Sequence, residues 1–294
     1  MKKTLFIIVS LLLLTFPLLG QMNVIRTKSE VKYKYEKKFG VFEEIITNKT
    51  IYEFDIDGNL IKKSGYKSDS SLKYNDVINY NSDDKKVEEL GFNSNGSLNS
   101  KKIYRYDSES NLVEKSVYFL NRLLRKTIFI YDSNNKIVEE LNFKSDDSLE
   151  NKSKFIYNLD GNLIERLLYE SDGSLWAKDN YSYNSDGNMI EKTIFGSFDT
   201  KMSNHTFKYD SKGNVLEHSI YWLNDLLKEK NISNYDSAGN MIEKSFFDSK
   251  NNLIKKIVYK YKMNRLVEEI EYNYELMLGE LHEIPQTKIT YEYD

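Results

Sequence analysis

Glutamate recurs along this chain at a spacing that could align carboxylates. Seven glutamates follow one another at a nearly constant interval: Glu88, Glu114, Glu139, Glu165, Glu191, Glu217 and Glu243. Aligned carboxylates are ligands that collect divalent cations. A basic residue directly follows several of them, as Lys115 follows Glu114 and Lys192 follows Glu191. We therefore predict a solvated row of charge pairs, with no metal site and no cofactor.

Two tryptophans are the candidates for ligand contact. Trp176 and Trp222 stand at repeat positions that other copies fill largely with Lys, Glu, Asn or Gly, so we expect them on the solvent side. An exposed indole is a platform for a ligand, such as the apolar face of a sugar ring. Isolated exposed aromatics are also ordinary in proteins. The recurring Tyr and Phe side chains are explained by cross-strand packing.

Catalytic patterns are missing from the sequence. The three histidines, His205, His218 and His282, are scattered and lack the His-Glu-x-x-His spacing. The chain has no cysteine nucleophile and no Gly-x-Ser-x-Gly elbow. The sequence thus predicts a protein that is not an enzyme. One alternative stays open, a hydrolase site in the C-terminal segment near His282 and Glu283.

The elements that position these residues come from an internal repeat. A Tyr-Asp or Tyr-Asn pair returns at a constant interval: Tyr131-Asp132, Tyr157-Asn158, Tyr183-Asn184, Tyr209-Asp210 and Tyr235-Asp236. Earlier copies lie at Phe54-Asp55, Tyr80-Asn81 and Tyr106-Asp107, and the step from Tyr106 to Tyr131 is shorter by a single residue. A strict period of this length, roughly 26 residues, is typical of proteins built by stacking one supersecondary unit.

Each copy reads as two strands and two turns. An aromatic residue stands twelve after the Tyr; in most copies another stands two before it and leucine stands eighteen after it, within alternating runs that favour strands. The turns have the form Asp-Gly-Asn, as at Asp186-Gly187-Asn188, or Asp-Gly-Ser, as at Asp172-Gly173-Ser174. Tight loops join antiparallel neighbours. We predict an all-β fold, a long antiparallel meander of about eighteen strands.

The shape of this meander is left open. Native twist should coil it into a curved sheet, a spiral or a solenoid. Apolar residues occur both six and seven positions after the Tyr, as at Met189 and Ile190, so side chains near the first turn point to both faces. Either a β-bulge re-aims the strand or both faces are partly covered.

The chain divides into four segments. Residues 1–20 read as an export signal, with Lys2 and Lys3 before a short apolar run. Gln21 stands where a lipoprotein would need cysteine, so the mature chain is predicted not to be lipidated. Residues 21–50 form an N-terminal cap or imperfect repeat, 51–265 the repeat array, and 266–294 an irregular C-terminal hairpin cap. The protein is predicted to be periplasmic, outer-surface or extracellular, without a transmembrane span in the mature chain.

Charge limits the classes of partner, and cysteine content limits the sources of stability. The chain carries 42 basic and 45 acidic side chains, a net charge of -3, and no cysteine. No basic block is present, which argues against a nucleic-acid groove. Without disulfides, stability must come from packing and backbone hydrogen bonds.

The repeat resembles a known family. Phe207-Lys208-Tyr209-Asp210-Ser211-Lys212-Gly213-Asn214 and the stretch from Phe155 to Asn162 are similar to the YD repeat of the Rhs family, and the resemblance covers roughly residues 50–265. In large family members such repeats form a spiralling β-shell around a toxin or cargo. Others are surface proteins with suggested carbohydrate binding. The resemblance implies a short, stand-alone exported member.

The function predicted from these features is that of a non-catalytic exported repeat protein. It would serve as a binding or scaffolding surface at the cell envelope or outside, with a glycan or protein ligand. The alternative of another class is a structural shell element that docks a partner effector.

Overall fold

The structure is a computed structural model that describes residues 26–277 and 279–294. The predicted export signal at residues 1–20 lies outside the described residues. The described chain is all-β, with twenty strands. They are β1 (Arg26–Lys38), β2 (Val41–Phe54), β3 (Leu60–Lys67), β4 (Leu72–Tyr80), β5 (Lys86–Asn93), β6 (Leu98–Tyr106), β7 (Leu112–Phe119), β8 (Arg122–Tyr131), β9 (Ile137–Phe143), β10 (Leu149–Tyr157), β11 (Leu163–Glu170), β12 (Leu175–Tyr183), β13 (Met189–Gly196), β14 (Lys201–Tyr209), β15 (Val215–Trp222), β16 (Leu227–Tyr235), β17 (Met241–Phe247), β18 (Leu253–Lys262), β19 (Arg265–Met277) and β20 (Glu280–Tyr293).

The strands form one antiparallel meander that closes on itself. Each strand pairs with the next in sequence, and β20 pairs antiparallel with β1, from Lys28↔Tyr293 to Lys34↔Thr287. The predicted all-β meander of two-strand repeats is confirmed. It contains twenty strands rather than about eighteen, because residues 26–54 and 265–293 supply two long hairpins whose strands have 13 or 14 residues.

The turns form where short polar side chains satisfy the backbone. In the Tyr-Asp turn, Asp210 Oδ1 accepts hydrogen bonds from the backbone N–H of Lys212 at 2.9 Å and of Asn214 at 2.8 Å. Gly213 between them has φ +84°, a conformation that glycine adopts without steric cost. In the second turn, Asp172 Oδ1 accepts from the N–H and the hydroxyl of Ser174 at 2.9 and 2.6 Å.

A β-bulge follows each of these turns. The register between β12 and β13 shifts at Ser182/Tyr183, which leaves Ile190 without a partner. The register between β11 and β12 shifts at Leu168/Tyr169, which leaves Trp176 without one. Bulges therefore re-aim the strands, and aromatic residues also occupy both faces of the sheet. Both of the options left open by the sequence are present.

The two faces carry different residues. One face, here called the belt face, carries the Tyr of the Tyr-Asp pair, whose hydroxyl donates to a backbone carbonyl twenty residues earlier, as Tyr209 does to Met189 at 2.6 Å. The opposite face, here called the Glu face, carries the recurring glutamates and the aromatic residue twelve after the Tyr. Glu191 and Phe195 on β13 are examples.

The closed sheet is a single layer with almost no apolar core. Among the described residues, the buried apolar side chains are Ile61, Ile78, Ala177 and Ile270. Extensive contacts join only strands that are neighbours in the ring. Stability must then come from backbone ladders and from side chains that pack flat along the sheet. Within residues 26–277 and 279–294, no helix is long and apolar enough to span a membrane.

Candidate functional site

A row of polar residues crosses the middle of the belt face on fourteen consecutive strands. We call it the polar belt: Asp76, Glu89, Lys102, Lys115, Thr127, Glu140, Ser153, Arg166, Asp179, Lys192, His205, His218, Asn231 and Lys244. Its members are spaced by half a repeat, and one step is shorter by a single residue. Because each repeat contributes two strands, one position on every strand returns after half a repeat. Within each hairpin the two members are direct cross-strand partners, as in Arg166↔Asp179 and Lys192↔His205.

Opposite charges neighbour one another along this belt. Lys102 Nζ lies 2.6 Å from Glu89 Oε1, and Lys192 Nζ lies 3.1 Å from Asp179 Oδ2. Burial opposes the ionisation of Glu89, but the hydrogen bond and charge of Lys102 outweigh it and lower the pKa of this carboxyl. Burial and the charge of Glu89 raise the pKa of Asp76. The belt therefore holds charge in an environment partly shielded from water.

The ring brings together two histidines that look scattered in the sequence. Nδ1 of His205 and Nε2 of His218 are 3.1 Å apart. The ring centroids are 5.3 Å apart and the planes differ by 20°, so the two imidazoles meet edge to edge. The ring of His218 also stacks on Phe207 at 4.5 Å between centroids. The spacing of the two histidines, which is half the repeat, was the signal in the sequence that could have predicted this contact.

Both histidines of the pair are held neutral. Burial, followed by the charge of Lys192, lowers the pKa of His205. Burial, followed by the neighbouring His205, lowers the pKa of His218. Two neutral imidazoles share one proton between the facing nitrogens, since one donates and the other accepts.

The hairpin of β19 and β20 separates His282 from Glu283, the two residues named for a hydrolase site. His282 pairs in register with Glu275, and Glu283 pairs with Tyr274, on the hairpin of β19 and β20. Adjacent residues of a strand point to opposite faces, so His282 and Glu283 diverge. The carboxylate of Glu283 lies 3.5 Å from Lys256 Nζ, which gives it a structural partner.

Both tryptophans lie at one end of the ring. We call this end the second-turn rim, where each odd-numbered strand turns into the next. Trp176 is 58% exposed and Trp222 is 50% exposed. Trp222 pairs with Ser203, and the ammonium of Lys228 lies 4.5 Å from the indole centroid. The tryptophans stand on β12 and β15, two strands that lie about 14 Å apart across three strand spacings.

Two depressions of the belt face flank Trp176. They share Leu168 and Trp176; one continues to Arg166 and the other to Lys192 and Met202. The Nε of Arg166 is buried and has no hydrogen-bond partner within the described part of the chain.

Other apolar residues at the same rim are also exposed. Phe198 is 92% exposed and Leu226 is 62% exposed, in the turns that precede β14 and β16. Together with Trp176, Met202 and Trp222 they are exposed apolar residues of this rim between β12 and β16, here called the rim patch. Exposed apolar areas bordered by polar residues are typical of ligand or partner surfaces.

Four of the seven recurring glutamates, Glu88, Glu114, Glu139 and Glu217, form an ion pair with a basic side chain on the neighbouring strand. Glu88 lies 3.0 Å from Lys101, and Glu217 lies 3.0 Å from Lys208. The basic residues that follow the glutamates in sequence, such as Lys115, point to the belt face and cannot balance the row. The predicted charge pairs form at four of the seven positions, and their basic partners come from the neighbouring strand. No group of three or more His, Cys, Asp or Glu side chains is placed to hold a metal among residues 26–277 and 279–294.

The fold and surface define an all-β repeat protein with a closed antiparallel sheet. A family model described as "Uncharacterised protein" matches residues 158–292, which is less than half of the chain. No curated protein sequence matches.

Solved structures give weak likenesses. A porin-like protein from Bacteroides uniformis is 11% identical, over 91% of this chain and 96% of its own, with a TM-score of 0.40. A porin-like protein from Bacteroides vulgatus is 9% identical, over 90% and 97%, with a TM-score of 0.25. The TcdB2-TccC3-Cdc42 structure is 12% identical over 83% of this chain and 16% of that chain, with a TM-score of 0.32. This chain thus spans about a sixth of the toxin-complex chain. These likenesses transfer no function, and the YD-repeat resemblance stays a prediction.

Proposed function

We propose that this protein is a non-catalytic, exported repeat protein that binds a glycan or protein ligand at the cell envelope or outside. Trp176 and Trp222 form the contact surface. The observation that carries the proposal is their placement, since both indoles are exposed and stand on the same rim of the ring. The depressions beside Trp176 add a shaped surface to one of them.

The surroundings of Trp176 suit a sugar ring. A pyranose has an apolar face that packs on an indole and hydroxyls that need hydrogen-bond partners. Leu168 and Met202 supply further apolar contact, while Asp179 and Lys192 supply acceptor and donor groups at the same depression. Sites for small ligands typically combine an apolar lining with a few polar groups.

The size of the ring favours surface binding over enclosure of a folded partner. Twenty strands at about 4.8 Å, tilted by about 40°, give a ring roughly 40 Å across. Side chains that point into the ring narrow its opening further. A folded domain of about 100 residues has a radius of gyration of about 13 Å and is roughly 34 Å wide. A shell element of this size would have to dock its partner on the outside.

The two tryptophans allow a direct test, because the chain contains no others. Trp222→Phe leaves Trp176 as the sole indole, and Trp176→Phe leaves Trp222. Fluorescence titration of both variants and the wild type against a glycan panel should show quenching or a blue shift that saturates. Affinity should fall about tenfold when the contacting Trp is replaced by Ala, as expected for loss of one stacked aromatic.

A matched control uses an aromatic residue away from the rim patch. Phe39 is fully exposed at the tip of the hairpin of β1 and β2, and Phe39→Ala should leave glycan affinity unchanged. A protein ligand would appear in cross-linking of the wild type that Trp176→Ala weakens. Binding that both Trp→Ala variants retain in full would show that the rim tryptophans are not the ligand surface.

A further inference from the structure

Two facing imidazoles on the polar belt have the separation of two metal ligands. His205 Nδ1 and His218 Nε2 are 3.1 Å apart, and the rings come from adjacent strands of a closed sheet. Imidazole nitrogen is a ligand that Zn²⁺, Ni²⁺ and Cu²⁺ favour. The backbone register sets the placement of the two imidazoles, because it pairs His205 with Ile220 and His218 with Phe207.

We propose that His205 and His218 bind one divalent first-row transition ion, of which Zn²⁺ is the probe. The ion is held by Nδ1 of His205 and Nε2 of His218, with Oδ1 of Asn231 as a third ligand and water in the remaining positions. This site is independent of the proposed ligand surface at the rim.

The nitrogen separation matches the geometry of such an ion. At zinc–nitrogen distances of about 2.0–2.1 Å, nitrogens 3.1 Å apart subtend roughly 95–100° at the metal, between octahedral and tetrahedral angles. The two nitrogens now point at each other through a hydrogen bond, so each ring must turn by roughly 40° for both lone pairs to converge on the ion once the bridging proton has moved. The proton between the rings moves to the other nitrogen of the ring that holds it. Each imidazole stays neutral, and no proton is released.

The third ligand is a buried acceptor in need of a partner. Asn231 Oδ1 is buried and makes no hydrogen bond to the residues that the structure describes. Asn231 is the direct cross-strand partner of His218, which places the two side chains about 5 Å apart at their Cβ atoms. A metal ion bound by His218 would satisfy this carbonyl oxygen.

The charges around the pair permit a cation. Lys192 is the cross-strand partner of His205, but its ammonium is already paired with Asp179 at 3.1 Å. Glu229 lies two residues before Asn231 on β16, and hence on the same face. Its carboxylate contributes a negative charge beside the two rings, which opposes the positive charges of Lys228 near His205 and of Lys244 near His218.

Zn²⁺ titration of the full chain by isothermal calorimetry tests the site. We expect one Zn²⁺ per chain at neutral pH. His205→Ala and His218→Ala should each weaken binding by at least about tenfold, the range seen even for groups that only support metal ligands. His282→Ala is the matched control, because His282 lies on β20 away from the pair, and it should bind Zn²⁺ as the wild type does.

A second measurement does not depend on the folding of the His205 or His218 variants. In NMR spectra of the wild type, Zn²⁺ should shift the imidazole C–H signals of two histidines and leave the third unchanged; the signal missing from His282→Ala identifies the third. The proposal is overturned if the wild type binds no Zn²⁺, if both histidine variants of the pair bind normally, or if His282 carries the shift.

Discussion

Single small residues set how side chains pack on this sheet. Without a core, large side chains lie flat on neighbouring strands, and the residues beneath them must be small. Gly65 is the cross-strand partner of Tyr74, and a Cβ at Gly65 would collide with the ring of Tyr74. Ser64 and Ser219 are almost fully buried on the Glu face. A glycine under an aromatic ring is a known device for covering an otherwise weak strand position.

Gly65→Ala should destabilise the protein by about 1–3 kcal/mol, the usual cost of overpacking. The methyl group forces the ring of Tyr74 out of its place, and the strand preference gained by removing glycine is smaller than that cost. Urea denaturation of the variant measures the change. In a Tyr74→Ala background the same substitution should be neutral or stabilising, since the ring is gone. An equal loss in both backgrounds would mean that the ring is not what excludes a side chain at Gly65.

The histidine pair makes stability depend on pH. Both pKa values are lowered in the folded chain, whereas unfolded histidine titrates near pH 6.5. The unfolded chain therefore binds more protons as the pH falls. The contribution of the pair is complete above about pH 6.5 and is lost as the pH drops through the folded pKa values, by up to about 1.4 kcal/mol per pH unit for each histidine.

Urea denaturation at about pH 7.5 and about pH 5.5 tests this. The wild type should lose more stability between the two pH values than the double variant His205→Gln/His218→Gln. Acidic groups titrate in both proteins, so the difference isolates the pair. His282 lies on β20 away from the pair, so His282→Gln is the control and should behave as the wild type does. Parallel pH curves for wild type and double variant would contradict the expectation.

At the scale of the element, the hairpin is the part that the sequence predicted best. Turn type follows from local chemistry: Asp or Asn at the first position caps the turn, as Asn184 does by accepting from the N–H of Asn188, and the fourth position takes positive φ. That position is glycine in five copies, with Gly187 at φ +79°. Three copies place another residue there, among them Ser110 at φ 64° and Asn135 at φ 58°. The left-handed region costs most side chains about 1–2 kcal/mol, but Asn tolerates it.

Ser110→Gly should therefore stabilise the protein by up to about 1 kcal/mol, after the larger unfolded-state entropy of glycine is subtracted. Gly187→Ala at the equivalent position should destabilise it by about 1–2 kcal/mol. Thermal denaturation measures both. Asn135→Gly is the control, with a smaller effect than Ser110→Gly because asparagine already accepts this conformation. Destabilisation by Ser110→Gly would show that its side chain contributes more than its backbone strain removes.

Face assignment within the hairpin could not be predicted from local sequence. Lys192 follows Glu191 directly, so the two seemed to be partners, yet the strand sends them to opposite faces. The bulge at each turn changes which residues share a face. Its position is set by how two strands pair, so the sequence of a single strand does not predict it. The same limit hid the contact of His205 with His218. Only the half-repeat register between hairpins places their rings side by side.

At the scale of the molecule, the first and last strands of the described chain pair with each other. Repeats encode pairing between neighbours, whereas closure depends on twist summed over twenty strands and on contacts between residues far apart in sequence. Lys28 shows such contacts, with its ammonium 4.6 Å from the ring of Tyr291 and 5.8 Å from that of Tyr293. The backbone N–H of Asp294 donates to Thr27 at 3.1 Å. Closure also removes the free sheet edges at which strands of other molecules pair.

The lack of cysteine in the chain makes closure testable by one engineered disulfide. Val31 and Thr290 are paired across β1 and β20, and paired Cα atoms lie about 4.5–5.5 Å apart, within the range that a disulfide spans. Val31→Cys/Thr290→Cys should oxidise within one chain, with the mass of two hydrogen atoms lost and faster migration on a non-reducing gel. Val31→Cys/Lys154→Cys, with the second thiol on β10 across the ring, should stay reduced. A disulfide-linked dimer from the first variant would mean that β1 and β20 pair between two molecules and that the single chain is open.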